Sequence, residues 1–204
     1  MMSPTDSTSY YQSLKQKWET DYPSSSSIEE IWAFYKECGY DDPVACFARI
    51  LERIEWSSNR VLDFGCDNGL MLNLIHELRP RIEGVGIDIN GAAIAKAASR
   101  FPDLSFSEFD GVTIPFDDGC FDVVYVSAVL KHIRYEDRDA LFAEFRRTSR
   151  HLFVVEIDTR ERETVEQHGW TFYHSNFRAE LERAFEPVDV FSEAGDLWGL
   201  YRTS

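Results

Sequence analysis

No apolar run in this 204-residue chain approaches the ~20 residues that a membrane-crossing helix needs, so no transmembrane segment is expected. The opening Met1-Met2-Ser3-Pro4-Thr5-Asp6 lacks a basic stretch followed by an apolar one and does not read as a secretory signal. Cysteine is scarce. Cys38, Cys46, Cys66 and Cys120 form no Cys-x-x-Cys pair, which argues against a zinc site and a disulfide framework and suits a reducing cytoplasm. His76, His151 and His168 are not spaced as metal ligands, so no metal is expected. Positive charge is short as well: 21 Lys and Arg face 36 Asp and Glu, a formal net charge of −15. Nucleic-acid affinity comes mostly from phosphate neutralisation, so no nucleic-acid partner is expected. Both common phosphate-cradling loops are absent, Gly-x-x-x-x-Gly-Lys and Gly-x-Gly-x-x-Gly alike.

What remains is the composition of a globular protein, 44% hydrophobic and 28% charged. Residues 1–27 are polar and end in four serines, yet carry Tyr10, Tyr11, Trp18 and Tyr22. Disordered tails rarely hold so many aromatics, so this arm is expected to be partly helical and to fold over something. Ser27 should cap a helix running to about Cys38, with Glu29 and Glu30 in its first turn and Gly39 as its stop. Asp42-Pro43 should open another, with Val44, Phe47, Ile50, Leu51 and Ile54 on one face. From residue 60 the pattern changes. Strands are expected at 60–64, 82–88, 104–109, 121–127 and 151–157, with helices at 69–79, 91–100, 136–148 and 175–185. Alternating strands and helices imply a parallel sheet covered on both faces. The runs 187–192 and 197–203 flank Glu193-Ala194-Gly195-Asp196 and read as a hairpin that adds one antiparallel strand at the far end. The expected organisation is a helical arm or lid over 1–57 and an α/β domain over 58–204.

Ligands of such sheets bind beyond the carboxyl ends of the strands. Asp63, Asp88, Asp110 and the Glu156-Ile157-Asp158 run all fall there. Gly65, lacking a Cβ, permits a sharp bend and a close approach to a ligand, and Gly69 lets the next helix pack near the strand. A dinucleotide loop would have glycine where Asp67 and Leu70 stand. At ~4 Å, Asp67 against a diphosphate would cost roughly 1 kcal/mol in water and more when partly buried. The bend therefore suits a nucleoside bearing positive charge, and S-adenosylmethionine has a sulfonium and an ammonium. Aspartate is also among the better non-glycine residues for left-handed backbone, so Asp67 should be tolerated.

Four stretches in order carry a resemblance. They are Val61-Leu62-Asp63-Phe64-Gly65-Cys66-Asp67-Asn68-Gly69, Gly84-Val85-Gly86-Ile87-Asp88, Asp110 with Ile114-Pro115-Phe116 through Phe121-Asp122, and Ser127-Ala128-Val129-Leu130-Lys131-His132-Ile133. Over residues 58–204 the chain resembles the class I S-adenosylmethionine-dependent methyltransferases, near their small-molecule group. The resemblance implies a Rossmann-like, doubly wound, mostly parallel seven-stranded sheet. It implies that Asp63 orients the first turn and the methionine ammonium, and that Gly65 faces that ammonium through its carbonyl. Cys66, Asp67 and Gly69 complete the turn. Asp88 would accept both ribose hydroxyls, and Ile89 would pack on the adenine. Asp110 would accept from the adenine amino group and Gly111 would offer its amide, while the Ser127 carbonyl helps hold the methionine end. Asp67 stands where the family usually has glycine, and Lys131 where it often has glutamate.

Methyl transfer needs in-line orientation, dryness and sometimes a base. His132 is the candidate base, with Glu156, Asp158 and His174 as further choices; His174 reads more simply as part of the region where Ser175 caps the last helix. Tyr10, Tyr11 and Trp18 are candidates for an aromatic lid over a sulfonium. No Asn/Asp-Pro-Pro-Tyr motif follows the fourth strand, which disfavours a DNA base as acceptor. The expected partner is a small-molecule acceptor with an O or N nucleophile, met by a cytoplasmic monomer or homodimer that contacts no membrane. The alternative is a catalytically silent relative that binds the cofactor or a protein partner.

Overall fold

The computed structural model describes residues 4–21, 27–111 and 113–203. Met1 to Ser3, Tyr22 and Ser24 to Ser26 of the N-terminal arm lie outside these. The arm supplies α1 (Pro4–Asp21), and two further helices follow, α2 (Ile28–Glu37) and α3 (Pro43–Arg53). As expected, the Ser27 side chain caps α2 by accepting from the Glu30 amide, and Asp42 caps α3 by accepting from Ala45.

The alternating part runs β1 (Arg60–Phe64), α4 (Leu70–Leu78), β2 (Glu83–Asp88), α5 (Gly91–Arg100), β3 (Ser105–Glu108) and β4 (Phe121–Ser127). Two single 3₁₀ turns, Leu130–His132 and Tyr135–Asp137, lead into α6 (Arg138–Thr148) and β5 (Ser149–Ile157). A hairpin of β6 (Glu163–Gln167) and β7 (Trp170–His174) precedes α7 (Phe177–Ala184), β8 (Glu186–Glu193) and β9 (Asp196–Arg202). The main sheet has the order β3-β2-β1-β4-β5-β9-β8, parallel except that β9 runs antiparallel to both neighbours. The order reverses between the neighbouring strands β1 and β4, and that reversal places a crevice at their carboxyl ends.

Buried-strand physics explains the sequence. β4 is buried over Phe121 to Val126 because both sheet faces are covered. On one face Val124, Val126, Leu152 and Val154 meet Phe142 and Phe145 of α6 and Phe177 and Leu181 of α7. On the other, Val123, Tyr125 and Phe153 meet Phe47 and Ile50 of α3 and Trp198 of β9. Phe47 sits edge-on to Tyr125, Phe153 and Trp198 at centroid distances of 5.6, 5.5 and 5.1 Å. Thus α3 covers the sheet as a core helix, whereas α1 lies over the strand ends.

Two local expectations need correction. The β6–β7 hairpin was not foreseen, and it folds through His168 and Gly169, both at positive φ (50° and 77°). The cap of α7 is Asn176, whose side chain accepts from the Ala179 amide, and not Ser175. Ser175 is buried and donates instead to Glu180 at 2.6 Å.

Candidate functional site

The bend after β1 is built by backbone geometry that few residues tolerate. Gly65 has φ +80°, and a Cβ there would lie 2.4 Å from Val129 Cγ2. Gly69 also has φ +80°, and a Cβ would strike the Phe106 ring at 2.7 Å. Asp67 takes φ 46°, the left-handed conformation anticipated for it. The amides of Gly65 and Cys66 both donate to the Ile87 carbonyl, which locks the bend onto the end of β2.

Three carboxylates converge here. Asp88 accepts from the Asp67 amide at 2.9 Å and from the Asn90 amide at 2.8 Å. Burial raises its pKa, and those amides hold the rise back. Asp63 is 2% exposed, and its Oδ2 has no hydrogen-bond partner among the described residues. Burial first, then the charges of Asp88 and Asp67, push its pKa well above the usual carboxylate range. The Cys66 thiol is pushed up by the same burial and by Asp63. Such a cluster, destabilised by its own repulsion, is a ready receptor for a cation.

A cavity of about 160 Å³ opens beyond this bend. Of the expected site residues, Gly65, Asp67 and Asp88 line its floor. Ile89, Gly111, Ser127 and His132 line its walls. Asp63 and Cys66 are buried close behind, and Gly69 faces the α5 side, near Ala97. Asp110 does not join the lining: it is exposed and accepts from the Thr113 amide at 3.0 Å, shaping the loop that carries Gly111. Phe64, Phe109 and Asn90 line the cavity and were not singled out beforehand.

From α1, Tyr11, Leu14 and Trp18 reach into the cavity, the covering role considered for the aromatic arm. Tyr10 instead donates to the His132 carbonyl at 3.1 Å. Tyr11 donates to Asp137 at 3.1 Å, and Asn90 donates to the Trp18 carbonyl at 3.2 Å. His132 itself is buried in an aromatic nest, 5.1 Å from Trp18, 5.2 Å from Phe172 and 6.1 Å from Trp170 between ring centroids. Its Nδ1 has no partner among the described residues, and burial presses its pKa down to about 3. It is therefore neutral at physiological pH, and a feeble base. His174 stacks on Phe172 at the end of β7, outside the cavity lining.

Residues 61–151 match the family model for a methyltransferase domain. Among curated relatives, the chain is 25% identical over 141 residues to a phthiotriol/phenolphthiotriol dimycocerosates methyltransferase of Mycobacterium tuberculosis, covering 61% of this chain and 52% of the relative. It is 32% identical over 78 residues to a demethylmenaquinone methyltransferase of Thermus thermophilus, 36% of each protein. The chain thus spans about half the length, or less, of these relatives. Among solved structures, geranyl diphosphate C-methyltransferase of Streptomyces coelicolor superposes over 100% of both chains with a TM-score of 0.70 and 12% identity. That structure holds Mg²⁺, geranyl diphosphate and S-adenosyl-L-homocysteine.

Proposed function

We propose that this chain, a class I S-adenosylmethionine-dependent methyltransferase by its fold and by the domain at residues 61–151, transfers a methyl group to an oxygen or nitrogen of an apolar small molecule. The observation that carries the reading is the buried Asp63 carboxyl, whose Oδ2 has no partner among the described residues, beside Asp67 and Asp88 at a bend that the left-handed backbone of Gly65 makes against Val129. These residues fit the donor: a cationic ligand relieves their repulsion, and an anionic diphosphate would add to it. When bound, the donor supplies an electrophilic methyl group on a sulfonium.

The chain's own residues would do the rest. Asp63, buried behind the cavity floor, would orient the ammonium of the methionine end, together with the Gly65 and Ser127 carbonyls. The Asp88 carboxylate, fixed by two amides, retains lone pairs for the ribose hydroxyls. Ile89 would pack on the adenine, and the Gly111 amide would reach a ring nitrogen. Asp110 would act on the adenine edge only if its loop turned inward. His132 is the residue proposed nearest the reacting atoms; its low basicity suits orientation and water exclusion more than proton removal. The residues of α1 fill part of the crevice, which leaves it smaller than the ~300–1,000 Å³ of most small-molecule sites. Loading would therefore move α1 outward; the exposed Lys15–Glu108 pair and the Lys17–Gly169 contact yield readily, and the part-buried hydrogen bonds of Tyr10, Tyr11 and the Trp18 carbonyl would have to be exchanged.

Apolar acceptors fit the relatives, whose names point to lipids and a quinone. Supporting activity would be incorporation of labelled methyl from S-adenosylmethionine into hydroxyl- or amine-bearing apolar compounds; binding without turnover across such a panel would favour a silent relative. Asp88→Asn offers a sharper check. It leaves one backbone amide poorly served and removes the charge facing the ribose. Calorimetric affinity for S-adenosyl-L-homocysteine should fall ~10–100-fold, the equivalent of ~1–3 kcal/mol. Unchanged affinity would remove Asp88 from the site.

A further inference from the structure

A second cavity, of about 760 Å³, lies on the α2 side of the bend. It shares Asp67, Ser127 and Ala128 with the first, so the two chambers meet at the end of β4. Its walls are largely apolar: Ile31, Phe34, Tyr35, Met71, Val155 and Ile157. Phe34 is 62% exposed and Ile157 is 40% exposed, so two of the largest uncovered apolar side chains of an acidic chain stand at one opening. Contiguous apolar surface of this kind marks a binding place.

The charges of the second chamber are unevenly committed. Asp196 accepts from the Tyr40 hydroxyl. Glu156 is buried, and its two oxygens accept from the amides of Lys131 and Ile157 at 3.3 and 3.1 Å. Burial raises the Glu156 pKa, and the nearby Lys131 charge and the two amides hold that rise back. Among the described residues, Lys131 is the only cationic side chain of the lining; its ammonium acts on Glu156 through space but forms no ion pair within 4 Å with any of them. It stands three residues beyond Ala128, next to the point where the chambers join.

We propose that this second chamber holds the methyl acceptor, an amphiphile with a hydrocarbon body and one anionic oxygen group, and that Lys131 selects the anion. This rests on the first chamber holding the donor. The hydrocarbon would lie against Phe34, Met71 and Ile157, and the anion would meet the Lys131 ammonium. An acceptor that arrives ionised needs no base, which accords with the weak basicity of His132 and with Glu156 being occupied by backbone amides.

The test uses the full chain saturated with S-adenosyl-L-homocysteine and titrated calorimetrically with submicellar decanoate, decanol and decyltrimethylammonium. Decanoate is expected to bind at least tenfold more tightly than the other two. Lys131→Met should reduce that preference over decanol to within twofold and leave S-adenosyl-L-homocysteine affinity within twofold of the parent. Phe34→Asp, on an exposed position, should weaken all three amphiphiles and so place them in this chamber. Equal binding of decanoate and decanol by the parent, a preference that survives Lys131→Met, or indifference to Phe34→Asp would each overturn the proposal. Failure of S-adenosyl-L-homocysteine to bind in the preliminary titration would instead strike the donor reading.

Discussion

Asp63→Asn is expected to make the ligand-free protein more stable and the cofactor complex weaker. The carboxyl is buried with an unpartnered oxygen, and its pKa in the fold lies well above the ordinary value. Between the ordinary and the raised pKa, the unfolded chain has released a proton that the folded chain retains. Stability therefore falls as pH rises through that window, and it is complete only below the unfolded-state value. An amide carries no such penalty. At neutral pH the variant should melt at least ~2–4 °C higher, the shift that ~1 kcal/mol gives in a protein of this size. At pH 3.5 the two proteins should melt together, because both side chains are then largely uncharged. Affinity for S-adenosylmethionine should fall about 100-fold, since removing one partner of a buried ion pair costs ~3 kcal/mol or more. Gain of stability with loss of binding is the signature of a group kept for its ligand. If the variant melted lower and bound equally well, Asp63 would be a structural residue only.

Arg138→Ala should be the most destabilising single change at the wall of the site. The guanidinium is 2% exposed and pairs with Glu180 at 2.8 Å. It also donates to the carbonyls of Ile133 (3.3 Å), Leu130 (3.4 Å) and Tyr173, and lies 4.6 Å from the Phe177 ring. One side chain thereby ties the turn that carries His132 to β7 and α7. Its loss removes the buried partner of Glu180 and leaves it with the exposed Arg162 and with Ser175. Breaking a buried pair in this way costs ~3–5 kcal/mol, a large part of the ~5–15 kcal/mol that holds a domain together. Thermal melting should drop by ~10 °C. The double variant Arg138→Met with Glu180→Met should recover much of this, because neither charge is left alone. A drop under 2 °C for Arg138→Ala would show that the pair holds nothing in place.

The sheet was legible in the sequence because its strands are buried on both faces and so read as apolar runs between helical periods. Phe121 to Val126 is the clearest of these. The β6–β7 hairpin was not, because four of the five residues of β6 are polar and all five are half-buried at best, leaving no alternation to detect. The usable signal was elsewhere, in His168-Gly169 between β-prone residues, a two-residue connection of the kind that left-handed backbone favours. The carboxyl ends of β1 and β2 were equally legible: Asp63, Gly65, Asp67 and Asp88 converge as their positions require. Asp110 shows the limit of that reasoning. A strand-end acid can turn to serve its own loop, and only coordinates reveal that it bonds to Thr113. The covering helix was foreshadowed by Tyr11 and Trp18, but an aromatic count says nothing about which ring enters a cavity. Nor could it reveal that Trp18, Trp170 and Phe172 enclose His132 and suppress its basicity.

One titration bears most directly on the electrostatic choice made at the bend. Matched calorimetry with S-adenosylmethionine and NADH at neutral pH, repeated in buffers of different ionisation enthalpy, should show micromolar or tighter binding of the sulfonium ligand. Proton release should accompany it as Asp63 ionises beside the incoming cation, and NADH should give no heat of binding. NADH binding at comparable affinity, or uptake of S-adenosylmethionine with no proton released, would contradict a pocket tuned by three converging carboxylates.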